Sequence, residues 1–310
     1  MKKEKWTISN IPDLSGKIII VTGGNSGLGY ESVKAFVQNG AEVILTSRTI
    51  EKGEAAKLEI MKHNPKGKIA VMVLDLMDLS SVNKFAIEFK EKYQSLDILM
   101  NNAGIMMKPY NLSKDGYESQ MATNHLGHFA LTLLLVDILR KTPDSRVVTV
   151  SSIAHKSAKI NFDNLFYQNG KEYSPMKAYR RSKLANLLFT YQLQKYFELN
   201  KINCIAVAAH PGVSFTNLAN HLVGNFLYRL FSPLIKRVLQ TPAAGALPQI
   251  RAAVDTNVKA GEYYGPSGFK ESRGYPVLVK SNKISHNKEY AQKLWDESVR
   301  VTGVGCDKIN

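Results

Sequence analysis

Residues 18–29 read IIIVTGGNSGLG, and the helical pattern of residues 30–39 follows directly. The unbroken apolar run is typical of a strand that is buried on both faces, as in a parallel sheet. Glycines after such a strand allow a tight turn and let backbone N–H groups approach a pyrophosphate. At the first strand of a chain that alternates strands and helices, this turn predicts a nucleotide site. The predicted contacts are Gly23, Asn25, Ser26, Gly27, Leu28 and Gly29.

Six more short apolar runs alternate with helical patterns further along the chain. They predict strands at 42–46, 69–74, 97–101, 146–151, 203–208 and 262–265. We therefore expect one α/β domain over residues 1–310, a Rossmann fold whose seven-stranded, parallel, doubly wound sheet has helices on both faces. Two irregular segments, 155–176 and 211–242, leave the carboxyl edge of the predicted sheet. Ligands bind at that edge in such folds, so both segments are predicted substrate walls.

Composition argues against several other classes of protein. The chain has 310 residues, of which 44% are hydrophobic and 22% charged, as in ordinary globular proteins. The mixed N-terminus and the lack of a long apolar run predict a cytoplasmic protein. Cys204 and Cys306 form no metal-type pair, and no metal site is predicted. The net charge of +15 is dispersed and accompanies no nucleic-acid module, so we expect a solvated basic surface that does not bind nucleic acid.

The end of the second predicted strand indicates which nucleotide binds. NAD sites usually carry an Asp or Glu there, whereas this chain has Ser47 and Arg48, with Lys52 on the next helix. A guanidinium can hold a 2′-phosphate through two charge-assisted hydrogen bonds, so NADP(H) is the predicted cofactor. The alternative is a surface arginine that faces solvent. Further nucleotide contacts are predicted where the third and fourth strands end, at Asp75, Leu76, Asn102, Ala103 and Gly104.

The strongest local signal for catalysis is YRRSK at residues 179–183. Residues four apart share a helix face, so the phenol of Tyr179 and the ammonium of Lys183 point into the same space. A free phenol has a pKa near about 10, which is too high for efficient proton exchange at neutral pH. The Lys183 cation and an oxidised nicotinamide should both lower that pKa. Tyr179 is therefore the predicted general acid/base.

Two further polar residues are candidates for the same site. Ser152 ends the fifth predicted strand, where its hydroxyl could donate to a substrate oxygen as charge develops there. Asn124 lies inside a predicted helix, which is locally unfavourable and indicates a role such as holding a water against the backbone. The nearby His125 and His128 lack carboxylates at ligand spacing, so packing or hydrogen bonding is expected of them. Ser152 also lacks the turn that a hydrolase nucleophile occupies.

With these residues assembled, the chain resembles the short-chain dehydrogenase/reductase family, and within it the retinol-dehydrogenase-like branch. The resemblance covers nearly the whole chain. It rests on TGGNSGLG at 22–29, Asp75, NNAG at 101–104, NHLGHF at 124–129, VSSIAH at 150–155, YRRSK at 179–183, HPG at 210–212 and LWDES at 294–298. It implies a catalytic tetrad of Asn124, Ser152, Tyr179 and Lys183, and cofactor contacts at Pro211, Gly212 and Thr216.

Two departures limit what the resemblance implies. The connection from Ser152 to Tyr179 is longer than in the shortest family members. Many retinol dehydrogenases carry an N-terminal membrane segment, which we do not find here, so retinol is not inferred as the substrate. The YxxxK region also resembles light-dependent protochlorophyllide reductases, although the intact Ser152 fits carbonyl chemistry better.

The predicted function is interconversion of an apolar aldehyde or ketone and its alcohol by NADP(H)-dependent hydride transfer. One alternative is a nucleotide-binding redox sensor without turnover, and another is a carbon–carbon double-bond reductase. Apolar residues recur at nearly helical intervals in 213–240, which predicts either packed helices or a mobile lid that favours apolar substrates. Arg229, Lys236 and Arg237 in that segment could give a weak peripheral membrane contact, and the sequence is compatible with a homo-oligomer.

Overall fold

The computed structural model describes residues 5–63, 65–213 and 240–305, in which eight strands form one sheet. The strands are β1 (Ile18–Val21), β2 (Glu42–Ser47), β3 (Lys68–Val73), β4 (Ile98–Asn101), β5 (Ser145–Val150), β6 (Cys204–Ala209), β7 (Tyr263–Pro266) and β8 (Pro276–Leu278). Their order is β3-β2-β1-β4-β5-β6-β7-β8. The strands from β1 to β7 run parallel, which confirms the predicted doubly wound Rossmann fold.

The sheet has one strand more than the seven predicted. β8 pairs antiparallel with β7, through Tyr264 and Leu278 at one end and Pro266 and Pro276 at the other. Three residues that include a proline are too short a run to show strand periodicity in the sequence. Proline is tolerated at this position because β8 is an edge strand and Pro276 is its first residue.

Nine α-helices are described, and they cover both faces of the sheet. They are α1 (Gly27–Gln38), α2 (Ile50–Met61), α3 (Leu79–Lys92), α4 (Ser119–Met121), α5 (Gly127–Leu134), α6 (Val136–Lys141), α7 (Pro175–Leu199), α8 (Pro242–Val254) and α9 (Lys288–Thr302). A π-helical turn, Ala122–Leu126, joins α4 to α5. None of these helices is long and apolar enough to cross a lipid bilayer.

Two apolar layers hold the helices against the sheet. On one face, Phe36 of α1 and Ile250 of α8 belong to a buried cluster with Val21 of β1. On the other face, Phe89 of α3 and Phe189 of α7 are buried with neighbouring apolar side chains. Burial on both faces explains why the strands read as continuous apolar runs rather than as alternating ones.

The last helix, α9, packs against α7 and α5. The Trp295 ring lies 5.1 Å from that of Phe129 and 6.1 Å from that of Phe189, measured between centroids. The His125 Nε2 atom lies 2.8 Å from the hydroxyl of Ser298, which itself donates to a backbone carbonyl. His125 therefore donates to Ser298, and burial lowers its pKa to about 3, so the ring is neutral. Its role is packing and hydrogen bonding, as expected.

Candidate active site

The turn after β1 is shaped by its glycines. Gly23 and Gly27 have φ angles of 63° and 57°, in the left-handed region that favours glycine. A Cβ at Gly29 would overlap the carbonyl oxygen of Gly23 and the side-chain amide of Asn102. The turn can therefore lie close to the end of β4, and it leaves an open cradle at the N-terminus of α1. Backbone N–H groups and the helix dipole make such a place favourable for an anion.

A hydrogen-bond network around Thr22 joins this turn to the end of β4. The Thr22 hydroxyl accepts from the backbone N–H groups of Asn102, at 2.8 Å, and of Ala103, at 2.9 Å. It also lies 2.8 Å from Nε2 of His128. The other ring nitrogen of His128, Nδ1, lies 3.1 Å from the carbonyl oxygen of Asn124, which can only accept. Nδ1 therefore carries the proton, and Nε2 accepts from the hydroxyl of Thr22.

His128 is consequently a structural link, with both ring nitrogens engaged in hydrogen bonds. Burial lowers the pKa of His128 to about 4, so the ring is neutral. Its one proton is on Nδ1, which donates to the carbonyl of Asn124. Among the residues that the structure describes, no three His, Cys, Asp or Glu side chains lie close enough together to hold a metal ion.

Tyr179, Ser152 and Lys183 come together at the carboxyl end of β5. The N-terminal part of α7 lies against the end of that strand, where the Ser151 hydroxyl donates to the carbonyl of Lys183 at 2.7 Å. The Lys183 ammonium donates to the carbonyl of Val150 at 3.0 Å. The Ser152 side chain lies close enough to the Tyr179 phenol to favour its ionised form. Both Tyr179 and Lys183 are buried, with exposed fractions of 8% and 4%.

Burial controls the acidity of both groups. It raises the pKa of the Tyr179 phenol, and the nearby Ser152 side chain opposes this effect. It lowers the pKa of Lys183 to about 8, because a buried ammonium loses its hydration. The prediction that the Lys183 cation lowers the pKa of Tyr179 is not supported by the structure, because burial raises this pKa and Lys183 is not among the causes of the shift. The predicted effect of an oxidised nicotinamide stays untested.

Asn124 lies in the π-helical turn and is fully buried. Its side-chain oxygen accepts from the backbone N–H of Ile105 at 2.8 Å, and its side-chain nitrogen donates to the carbonyl of Ile105 at 3.0 Å. The same nitrogen donates to the hydroxyl of Ser182 at 2.9 Å. The side chain thus ties the loop after β4 to α7, beside Tyr179. This cross-link explains why an asparagine lies inside the helix.

One groove, with a volume of about 530 Å³, runs from the glycine turn to Tyr179 and Lys183. All but two of the predicted cofactor residues line it. These are Gly23, Asn25, Ser26, Gly27, Leu28, Gly29, Ser47, Arg48, Lys52, Asp75, Leu76, Asn102, Ala103, Gly104, Tyr179, Lys183 and Pro211. Gly212 is not among the lining residues, although it adjoins Pro211, and Thr216 lies outside the described residues. Neither Asn124 nor Ser152 lines the groove.

Several lining residues were not predicted. They are Thr46, Leu74, Met77, Ile105, Thr123, Val150 and Ser151. Most of them adjoin a predicted residue at the end of a strand. Their position at the carboxyl edge of the predicted sheet could therefore have identified them as lining residues. Thr123 is different, because it reaches the groove through the π-helical turn, which no sequence pattern indicated.

The predicted substrate-wall segment 155–176 packs beyond Ser152. The Arg181 guanidinium lies 4.0 Å from the centre of the Tyr167 ring and donates to the carbonyls of Asn164 and Leu165. The Tyr173 hydroxyl donates to the carbonyl of Lys108 at 2.6 Å. These contacts fasten the segment to α7 and to the loop after β4. The second predicted wall, 211–242, is described only at its two ends, and residues 214–239 of the predicted lid, 213–240, lie outside the described residues.

Known proteins resemble this chain over almost its whole length. The sequence matches the short chain dehydrogenase family over residues 17–224. Mouse retinol dehydrogenase 12 is 38% identical over 294 residues, which cover 94% of this chain and 88% of the relative. Human polyprenol dehydrogenase is 35% identical over 300 residues, which cover 94% of this chain and 87% of that protein.

Solved structures share the fold. The crystal structure of an uncharacterised protein from Mycobacterium paratuberculosis matches with a TM-score of 0.81 and 37% identity, and covers 98% of this chain and 100% of that one. The Pseudomonas aeruginosa RhlG/NADP active-site complex has a TM-score of 0.64 and 23% identity, over 81% of this chain and 94% of that one. The present chain belongs to the short-chain dehydrogenase family of oxidoreductases. Within that family it lies in the retinol-dehydrogenase-like branch.

Proposed function

We propose that this protein uses NADP(H) to interconvert an apolar aldehyde or ketone and its alcohol, with Tyr179 as general acid/base. The observation that carries the proposal is the single groove that leads from the glycine turn to the buried Tyr179 and Lys183. A dinucleotide needs both ends of such a groove, one for its phosphates and one for the reacting ring. Family membership supports a nicotinamide cofactor in general terms.

The preference for NADP(H) rests on the end of β2. Arg48 and Lys52 are exposed there and line the groove. Among the described residues, neither cation forms an ion pair, so both are available to an anionic group. The Ser47 hydroxyl donates to the backbone carbonyl of Thr49. A 2′-phosphate on the ribose would suit the two cations, because a guanidinium binds phosphate through parallel charge-assisted hydrogen bonds.

Residues of the protein itself would transfer the proton and stabilise the charge that develops on the substrate oxygen. A bound nicotinamide dinucleotide would supply or accept the hydride. During reduction, we expect the Ser152 and Tyr179 hydroxyls to donate to the carbonyl oxygen, and Tyr179 to transfer its proton as negative charge builds up there. The buried Lys183 ammonium would stabilise the resulting phenolate. Asn124 would act by holding the loop after β4 and the start of α7 in place.

The preference for apolar substrates rests on the relatives. The segment 155–176 begins beside Ser152, where Nδ1 of His155 lies 2.7 Å from the Ser152 carbonyl, and its Leu165 and Phe166 are buried in an apolar cluster with α7 and α9. The names of two relatives, retinol dehydrogenase and polyprenol dehydrogenase, refer to apolar alcohols. We therefore propose segments 155–176 and 211–242 as the walls of an apolar substrate site.

The test is a two-part assay on the purified protein. NADPH and NADH are titrated by fluorescence, and NADPH oxidation is then followed with aldehydes and ketones of graded chain length. We expect submillimolar NADPH binding and turnover that improves with apolar length. Tight binding without turnover would favour the redox-sensor alternative. Consumption of NADPH with conjugated double bonds alone would favour the double-bond reductase.

A further inference from the structure

Three loops beside the groove meet in a cluster formed by Lys156, His210 and Glu271. Lys156 follows Ser152, His210 follows β6, and Glu271 lies between β7 and β8. The Glu271 carboxylate accepts from the Lys156 ammonium at 2.6 Å and lies 3.0 Å from Nε2 of His210. The His210 side chain is fully buried. None of these three residues has a role in the hydride transfer proposed above.

The hydrogen bonds of His210 determine which of its nitrogens carries the proton. The backbone N–H of Gly212 donates to Nδ1 at 3.2 Å, so Nδ1 must be unprotonated. Nε2 therefore carries the proton and donates it to Glu271. Burial lowers the pKa of His210, so the ring is neutral and carries one proton, on either Nδ1 or Nε2. This geometry makes Glu271 the partner that selects the tautomer, as carboxylates do for buried histidines in other sites.

Two features of the backbone accommodate the contact between His210 and Glu271. A Cβ at Gly265 would overlap the His210 ring, so β7 leaves room for the ring with a glycine. Glu271 itself has a φ of 57°, in the left-handed region that a non-glycine residue occupies at some cost. The hydrogen bonds from His210 and Lys156 outweigh the effect of burial and hold the pKa of Glu271 down to about 2. The carboxylate is thus ionised and ready to accept.

The tautomer of His210 matters because the next two residues, Pro211 and Gly212, form a turn beside the groove. With Nδ1 unprotonated, the ring accepts from Gly212 and closes the turn through Pro211, in which Gly212 has a φ of 68°. Pro211 lines the groove that Tyr179 and Lys183 also line. With the proton on Nδ1 instead, the ring and the N–H of Gly212 would oppose each other as two donors. The turn would then lose its internal hydrogen bond.

We propose that Glu271 is a positioning residue, which sets the tautomer of His210 and thereby the shape of the Pro211–Gly212 turn at the wall of the cofactor groove. The charged and titratable groups around His210 include Glu271, Lys156, the neutral His155 and the Tyr263 phenol, whose ring centroid lies 5.3 Å away. Among these, Glu271 accepts the hydrogen bond from Nε2. The effect on dinucleotide affinity rests on the function proposed above, whereas the effect on the tautomer does not.

The tautomer can be observed directly by ¹⁵N NMR of the histidine rings near neutral pH, with the His210 signals assigned through their loss in His210→Gln. In the wild type we expect a protonated Nε2 and an unprotonated Nδ1. Glu271→Ala should mix the two tautomers. Glu271→Gln should keep the wild-type pattern, since its amide oxygen can accept the same hydrogen bond while the partly exposed Lys156 side chain turns to solvent. Glu289→Ala removes a surface glutamate that also pairs with a lysine, and serves as the matched control.

The same variants are then titrated with NADPH. Glu271→Ala should weaken binding about five- to tenfold, which is the worth of one net hydrogen bond, and Glu271→Gln should stay within about twofold. A wild-type ring protonated at Nδ1, or a Glu271→Ala pattern identical to the wild type, would overturn the tautomer assignment. An altered tautomer with unchanged NADPH affinity would refute the link to the groove. Failure of the wild type to bind either dinucleotide would instead overturn the proposed function and, with it, the affinity part of this inference.

Discussion

The Nζ atom of Lys183 lies 5.9 Å from the centre of the Tyr179 ring. Both side chains project from one face of α7 towards the end of β5, and both are almost completely buried. Because both groups are shielded from water, a phenolate formed on Tyr179 would be attracted to this ammonium more strongly than at the surface. This arrangement is the basis on which the proposed proton transfer is assigned to these two residues.

Replacing Tyr179 by phenylalanine should abolish most of the turnover. The change removes the hydroxyl that would exchange the proton and leaves the ring packed as before. We expect kcat to fall by about 10²–10⁴-fold, with NADPH affinity within about twofold of the wild type. Tyr93→Phe, which removes a hydroxyl bound to Glu42 far along the sheet, is the control. A Tyr179→Phe enzyme that kept more than about a tenth of wild-type kcat would exclude the general acid/base role.

The buried Lys183 should make stability depend on pH in a predictable direction. Its pKa is lowered from 10.5 to about 8 in the folded protein, so the unfolded chain binds more protons between those values. Stability due to this group therefore rises as the pH increases from about 8 to 10.5. Relative to Lys183→Met, the wild type should gain on the order of 2–3 kcal/mol over that range.

Urea unfolding of the two proteins at several pH values measures this difference, and the comparison cancels the titration of the other buried groups. A difference in unfolding free energy that did not change with pH would mean that Lys183 titrates at its ordinary value. A difference that moved in the opposite direction would mean that its ammonium is stabilised by the fold.

Arg48→Asp should reverse or erase the preference for NADPH. The change replaces a phosphate partner by a carboxylate that can accept from ribose hydroxyls. We expect NADPH affinity to fall about ten- to a hundredfold and NADH affinity to stay equal or improve. Arg140→Asp alters the net charge equally at an exposed position on α6 and controls for long-range electrostatics. An unchanged ratio of NADPH to NADH affinity would remove Arg48 from the cofactor site.

Asn124→Leu should destabilise the protein and loosen the loop after β4. The leucine side chain branches at the same position and is larger, and it leaves the backbone N–H and carbonyl of Ile105 without their partner. Unsatisfied buried groups of this kind cost roughly 2–4 kcal/mol in total, which should appear as a lower midpoint in urea. Asn39→Ala removes one hydrogen bond at the end of α1 and should cost far less. Equal losses in the two variants would show that the Asn124 cross-link is not a special feature.

The sequence predicted the local parts of the site because they depend on short spacings. The glycine turn follows β1 directly, and four-residue spacing on α7 places Tyr179 and Lys183 on one face. The positions at the ends of β2, β3 and β4 followed from the alternation of strands and helices. Most of the residues predicted in this way do line one groove.

Contacts between distant segments could not be read from the sequence. The edge strand β8 is too short to show a period, and the partner of Asn124 is a backbone loop 19 residues away. His210 and Glu271 are 61 residues apart and meet because β6 and β7 are neighbours in the sheet. The pKa values of Tyr179 and Lys183 likewise depend on burial, which many segments create together.

Whether a feature could be predicted from the sequence or only seen in the folded structure depends on the range over which the responsible interaction acts. Helical period, turn geometry and strand hydrophobicity are properties of a few consecutive residues, so the amino-acid sequence alone determined the glycine turn of 18–29 and the shared face of Tyr179 and Lys183. Desolvation and the choice of a hydrogen-bond partner depend on which atoms fold into the same few ångströms. Folding therefore decided that Lys183 is buried, that Asn124 holds Ile105, and that Glu271 faces His210.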